Sequence, residues 1–70
     1  MSYTEFKRTL DYTYGFSEKE IFYIIGILFE KTDGFERSHK EIFYGLRRNT
    51  VFHIEWSKDT YGWDIEIEEW

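Results

Sequence analysis

Two stretches near the end of the chain leave little choice of local structure. Phe52, Ile54 and Trp56 alternate with Val51, His53 and Glu55, and Trp63, Ile65 and Ile67 alternate with Asp64, Glu66 and Glu68. A repeat of two puts apolar side chains on one face of an extended strand and polar ones on the other. Between the stretches, Lys58-Asp59-Thr60-Tyr61, closed by Gly62, suits a four-residue hairpin connection. That connection sets Trp56 opposite Trp63, Ile54 opposite Ile65 and Phe52 opposite Ile67. A slip of one residue would turn the apolar row to water, so burial holds the register.

Before residue 50 the apolar period is helical. Three Ser-x-x-Glu sequences, at Ser2, Ser17 and Ser38, each open such a segment. In each, the serine can cap the third helical N–H while the glutamate reaches back to the cap residue. Helix 1 is expected from about Tyr3 to Thr13, with Tyr3, Phe6 and Leu10 on one side and Gly15 as a stop. Helix 2 is expected from about Glu18 to Lys31. Its broad arc of Ile21, Phe22, Ile24, Ile25, Leu28 and Phe29 predicts the most buried helix, leaving Tyr23 and Ile27 on its polar side. Helix 3 is expected from about His39 to Arg48, with Ile42, Phe43 and Leu46 inward and two arginines at its C-terminal end. The expected architecture is α+β, three helices followed by a C-terminal antiparallel β-hairpin (α-α-α-β-β), in one domain over residues 1–70. A lone hairpin is marginal in water, so the helices are expected on its apolar face.

Composition agrees with a small aromatic core. Seventy residues bury only roughly 60% of the surface an unfolded chain exposes. No cysteine supplies a disulfide or a thiolate metal site. Seven Phe, six Tyr and three Trp supply the burial instead, at roughly 150–250 Å² per ring. The longest apolar run, Ile21 to Phe29, falls short of the roughly 20 residues that span a bilayer. The first residues lack the basic and apolar regions of a signal peptide. A cytoplasmic protein with no membrane partner is the expectation.

Charge divides the chain. The net charge is −5, and residues 51–70 carry six acids against one base, whereas residues 31–50 carry five bases against three acids. In the expected register, Glu55 lies opposite Asp64, His53 opposite Glu66 and Val51 opposite Glu68. Carboxylates facing each other on a sheet cost a few tenths of a kcal/mol or more, so folding gains nothing from the arrangement. Asp64, Glu66 and Glu68 are spaced in steps of roughly 6.6 Å, at about 3.3 Å per residue, a scale comparable to phosphates along a DNA strand. Glu55, Asp59, Asp64, Glu66 and Glu68 thus form a candidate strip for a basic partner, with Trp70 as an apolar anchor. The same acids also solubilise an edge and oppose sheet-to-sheet pairing. A second candidate is the outer face of helix 3, where Lys40, Tyr44, Arg47 and Arg48 fall together, with Arg37 and His39 near the helix start. Basic residues interleaved with an aromatic can contact phosphates and stack on bases. Because the two surfaces have opposite signs, a homodimer could also satisfy them.

Catalytic chemistry finds no footing. Ser2, Ser17 and Ser38 are accounted for by capping and Ser57 by the hairpin turn, and there is no glycine-rich phosphate loop or His-Glu-x-x-His. His53 with Glu55, Asp64 and Glu66 is the one metal candidate, on a flat face with poor enclosure. Neither an enzyme nor a cofactor is expected.

Three helices followed by a two-stranded wing resembles the winged-helix fold. That resemblance implies Lys40, Tyr44, Arg47 and Arg48 as groove or backbone contacts, with residues 58–61 as the wing tip, and a nucleic-acid-binding regulator as the alternative function. In size, acidity and lack of cysteine the chain also resembles small virus-encoded inhibitors that imitate DNA, some of them anti-restriction or anti-CRISPR proteins. That resemblance implies an inhibitor acting in the host cytoplasm. It would occlude the nucleic-acid-binding surface of a basic enzyme or complex through the acidic hairpin.

Overall fold

The computed structural model describes residues 1–70. Helix α1 spans Tyr3–Arg8 and continues as a π-helical segment, Thr9–Thr13. Helix α2 spans Glu18–Lys31, and three strands follow, β1 His39–Arg47, β2 Thr50–Ser57 and β3 Gly62–Glu69. They form one antiparallel sheet in the order β1-β2-β3. The β2–β3 pairing has the register expected from the alternation: Trp56 faces Trp63, Ile54 faces Ile65 and Phe52 faces Ile67. The helices also have the expected extents, and two of the three serine caps form. Ser2 Oγ accepts from the Glu5 N–H, and Ser17 and Glu20 make a reciprocal capping box.

The expected third helix is a strand, and the winged-helix order falls with it. His39–Arg47 pairs along β2, with His39 opposite Trp56 and Phe43 opposite Phe52. The reason lies in β2. Phe52 and Ile54 are buried, and a buried strand must hydrogen-bond along both edges. A two-stranded hairpin satisfies only one of them. Ile42, Phe43 and Tyr44 favour extended backbone, and Arg48, expected to end a helix, forms with Asn49 the turn to β2, with Asn49 at φ 57°. Ser38 does not cap a helix; its Oγ accepts from the Lys58 N–H at 2.8 Å, tying the start of β1 to the β2–β3 turn.

Near its end β1 bulges. Phe43 pairs with Phe52 and Arg47 with Thr50, so Tyr44, Gly45 and Leu46 stand against Val51 alone. Gly45 takes φ +78°, a conformation that side chains resist. The bulge ends with Arg47 turned back to the helices. Its guanidinium donates to the Glu20 carboxylate at 2.8 Å and to the Gly15 carbonyl at 3.0 Å, and lies 4.2 Å from the Phe16 ring centroid.

The core lies between the helices and the inner face of the sheet. Phe6 and Leu10 come from the first helix, Phe16 from the connection, Ile21, Ile24 and Leu28 from α2, and Phe43, Phe52, Ile54, Trp56 and Trp63 from the strands. Phe6 stacks on Trp63 at 4.5 Å, and Trp56 lies 4.9 Å from Trp63. Such aromatic pairs contribute about 0.5–1.5 kcal/mol beyond their burial. The α2–β1 connection is held by Thr32, whose buried Oγ1 donates to the Leu28 carbonyl at 2.6 Å and accepts from the Phe35 N–H at 2.9 Å. Phe35 adopts φ 66°, and its carbonyl accepts from the Trp56 indole N–H at 3.2 Å. Helix α2 covers the sheet from one side and is not enclosed. Phe22 and Phe29, expected in its buried arc, are 56% and 55% exposed, while Ile27, expected on the polar side, packs on the core.

Candidate functional site

The outer face of the sheet carries no helix. Alternation places Lys40, Ile42 and Tyr44 of β1, Val51, His53 and Glu55 of β2, and Asp64, Glu66 and Glu68 of β3 on it. The register crosses Lys40 with Glu55 and Asp64, and Ile42 with His53 and Glu66. Four carboxylates therefore share the face with one lysine. The lysine is engaged, with Lys40 Nζ 3.7 Å from Glu66 Oε2 across the middle strand. His53, expected beside Glu66, turns to Glu68, its Nε2 3.3 Å from Oε1. Glu55 and Asp64 lie opposite each other, and neither has an ion-pair partner.

Asp59 lies apart from this row, exposed in the β2–β3 turn. Beside it Lys58 pairs with Glu36 at 3.4 Å, and that carboxylate raises the lysine above its ordinary range. Trp70 extends the β3 ladder, donating its backbone N–H to the Asn49 carbonyl at 3.0 Å, and its side chain is 74% exposed. Its indole N–H points to Glu68 Oε2 at 3.4 Å. With Tyr44, Arg47, Arg48 and Val51 it lines an open cleft of about 420 Å³ at the end of the sheet.

The expected basic face is dispersed. Strand geometry sends Lys40 and Tyr44 to the outer face and Arg47 to Glu20, while Arg48 stands in the β1–β2 turn and Arg37 in the connection before β1. Tyr44, Arg47 and Arg48 still line one cleft, whereas Lys40 and Arg37 lie apart from it, because the helix that would have aligned all five is absent. His39 lies on the inner face at the sheet edge, its Nε2 2.6 Å from Glu41. No three His, Asp or Glu side chains come close enough to share a metal ion.

Two features escape a reading of the sequence. A cleft of about 340 Å³ is lined entirely by aromatics, Tyr3, Phe35, Trp56, Tyr61 and Trp63, each from a different part of the chain. The other is the exposed aromatic side of α2. Its sequence signal is simple: α2 has more apolar residues than one face of a single helix can bury. No helix is long and apolar enough to cross a membrane. Comparison with known proteins returned no matching family model, no similar curated protein and no similar solved structure.

Proposed function

We propose that the chain is a small acidic interaction module, not an enzyme. Its outer sheet face docks on the nucleic-acid-binding surface of a basic protein and occludes it. The observation that carries this reading is the Glu55–Asp64 pair. Two carboxylates face each other across adjacent strands with no cation between them, an arrangement that costs folding stability. A cationic partner relieves that cost on docking. Asp64, Glu66 and Glu68 supply carboxylate acceptors that arginine and lysine otherwise offer to phosphates. Glu55 and Asp59 extend the negative field, and Trp70 supplies an exposed apolar anchor beside it. Such a partner would be a nucleic-acid enzyme or complex in the cytoplasm, that of the host if the chain is viral.

The test is capture from a nuclease-treated lysate by the immobilised chain. A nucleic-acid-binding protein should be retained, released by added duplex DNA, and lost when Asp64, Glu66 and Glu68 are all changed to lysine with helical content unchanged. Retention of the partner by the triple variant, or indifference to DNA, overturns the reading. A gel shift of duplex DNA by the chain itself would point to direct nucleic-acid binding instead.

A further inference from the structure

We propose that the outward side of α2 is a self-association surface that seats a second copy of this chain in antiparallel orientation. Helix α2 packs its Ile21, Ile24 and Leu28 side against the sheet. On the opposite side, Lys19, Phe22, Gly26 and Phe29 recur at spacings of three and four, the seam of a helix that packs on another helix. Phe22, Tyr23 and Phe29 are each more than half exposed there, far more ring surface than a lone solvated helix face carries. Between the rings, Gly26 is exposed, and a side chain added to it would meet nothing within 4 Å. The face is therefore two ridges of aromatic carbon with a notch between them.

Charge complementarity selects the occupant, and the notch selects its direction. The N-terminal half of the seam carries Glu18 and Lys19 on its two flanks, with Lys7 Nζ 5.9 Å over the Phe22 ring, and the C-terminal half carries Glu30. None of these four has an ion-pair partner within the chain, so the first half is net positive and the second negative. A parallel copy would set Phe22 against Phe22 and Gly26 against Gly26, leaving the notch unfilled. An antiparallel copy that places Phe22 over the notch at its partner's Gly26 brings Lys19 beside the partner's Phe29 and Glu30. The two-fold axis repeats that pair at the other end. Glycine permits close approach of the two axes, toward the lower end of the usual 8–10 Å.

The seam from Lys19 to Glu30 is about 18 Å long at 1.5 Å per residue. A contact of this length puts the dimer among small, concentration-dependent interfaces. The helices cover the inner side of the sheet, so this seam faces away from the acidic face. A dimer built on it displays two acidic faces pointing outward, each free to engage a partner.

The experiment is sedimentation equilibrium of the full chain from about 10 µM to about 500 µM, a span wide enough to read a weak, concentration-dependent dimer. The mass should rise from 8.7 kDa toward twice that value. Phe22→Glu with Phe29→Glu should hold it at the monomer with an unchanged circular dichroism spectrum. Lys19→Glu alone and Glu30→Lys alone should each weaken the dimer severalfold, and the two together should restore it. A monomer at the highest concentration overturns the proposal, as does a dimer that survives the double glutamate change. Failure of the charge swap to rescue assembly overturns the antiparallel arrangement. If the double glutamate variant does not fold, the single charge variants and their combination decide the matter. Asp64→Lys, Glu66→Lys, Glu68→Lys leaves this dimer intact, so loss of the acidic face's partner and loss of self-association are read separately.

Discussion

Lys40 on β1 and Glu66 on β3 meet across the whole width of the sheet, Nζ to Oε2 at 3.7 Å, passing over the middle strand. The pair withdraws one carboxylate from an otherwise uncompensated face. Both side chains are substantially exposed, so the pair adds little to folding, about 0–1 kcal/mol. Its effect falls on the surface field. Lys40→Gln should therefore tighten binding of a basic partner by roughly two- to fivefold at low ionic strength, with the gain shrinking as salt is raised. Titration calorimetry against the captured partner measures it; unchanged or weaker binding would place Lys40 outside the docking face.

Glu20 does two jobs at the start of α2. It closes the capping box with Ser17 and accepts the Arg47 guanidinium from the end of β1. The hydrogen bond from Arg47, followed by that from the Ser17 N–H, lowers its pKa from 4.5 to about 2. A carboxylate depressed in the folded state adds stability that is complete above its unfolded pKa and lost as pH falls through the folded one. The melting temperature should therefore fall as pH drops from about 4.5 to about 2, beyond what other acids cause. In Glu20→Gln that part of the acid sensitivity disappears while the variant is less stable at neutral pH. Parallel melting curves from wild type and variant across this range check it.

Thr32 is the only buried polar residue, and its hydroxyl links Leu28 to Phe35. Thr32→Val keeps the shape but leaves the Phe35 N–H without its acceptor. The expected loss is about 1 kcal/mol, at the low end for an unsatisfied donor because this one is only part-buried. Thr32→Ser keeps the hydroxyl and should lose less than half of that. Urea unfolding monitored by tryptophan fluorescence resolves the two, since Trp56 bonds to the Phe35 carbonyl. A larger loss in Thr32→Ser than in Thr32→Val would assign the effect to the methyl group.

Gly45 separates the strand from the helix by the sign of a single substitution. In a helix interior, glycine to alanine stabilises by roughly 0.5–1 kcal/mol. At φ +78°, with open space around the added carbon, it costs backbone strain alone, about 1–2 kcal/mol. Gly45→Ala should lower stability. An increase would mean that residues 39–47 do not bulge as β1 does.

Much of this molecule is legible in local pattern. A repeat of two from Phe52 to Ile67 admits only one register that turns its apolar row to the core side, and the four-residue turn admits the same one, with Ile67 at the end of the row left 42% exposed. Ser2 and Ser17 announce α1 and α2 because capping is a contact between neighbours three residues apart. The acidic face follows from the same alternation, since whatever lies between buried residues on a strand must point outward. Ser38 and Glu41 have the same spacing and yet cap nothing, because the motif records what two side chains can do with nearby backbone and not what distant backbone requires. Ile42, Phe43 and Leu46 fit one side of a helix, and Phe43 also fits a strand, so nine residues with so few apolar positions hold both readings.

What chose between them was the unpaired edge of β2. Its buried amides needed partners that only another strand could supply, and that need arises once the hairpin is already packed against the helices. The same choice scattered the basic residues, drew Lys40 over to Glu66 and Arg47 back to Glu20, and left α2 covering a sheet instead of lying between layers. Sequence alone determined where the chain alternates, where two of its helices begin and which acids face water. Tertiary structure decided the identity of β1, the pairing of the charges and the exposure of Phe22 and Phe29, because each depends on a partner distant in the chain.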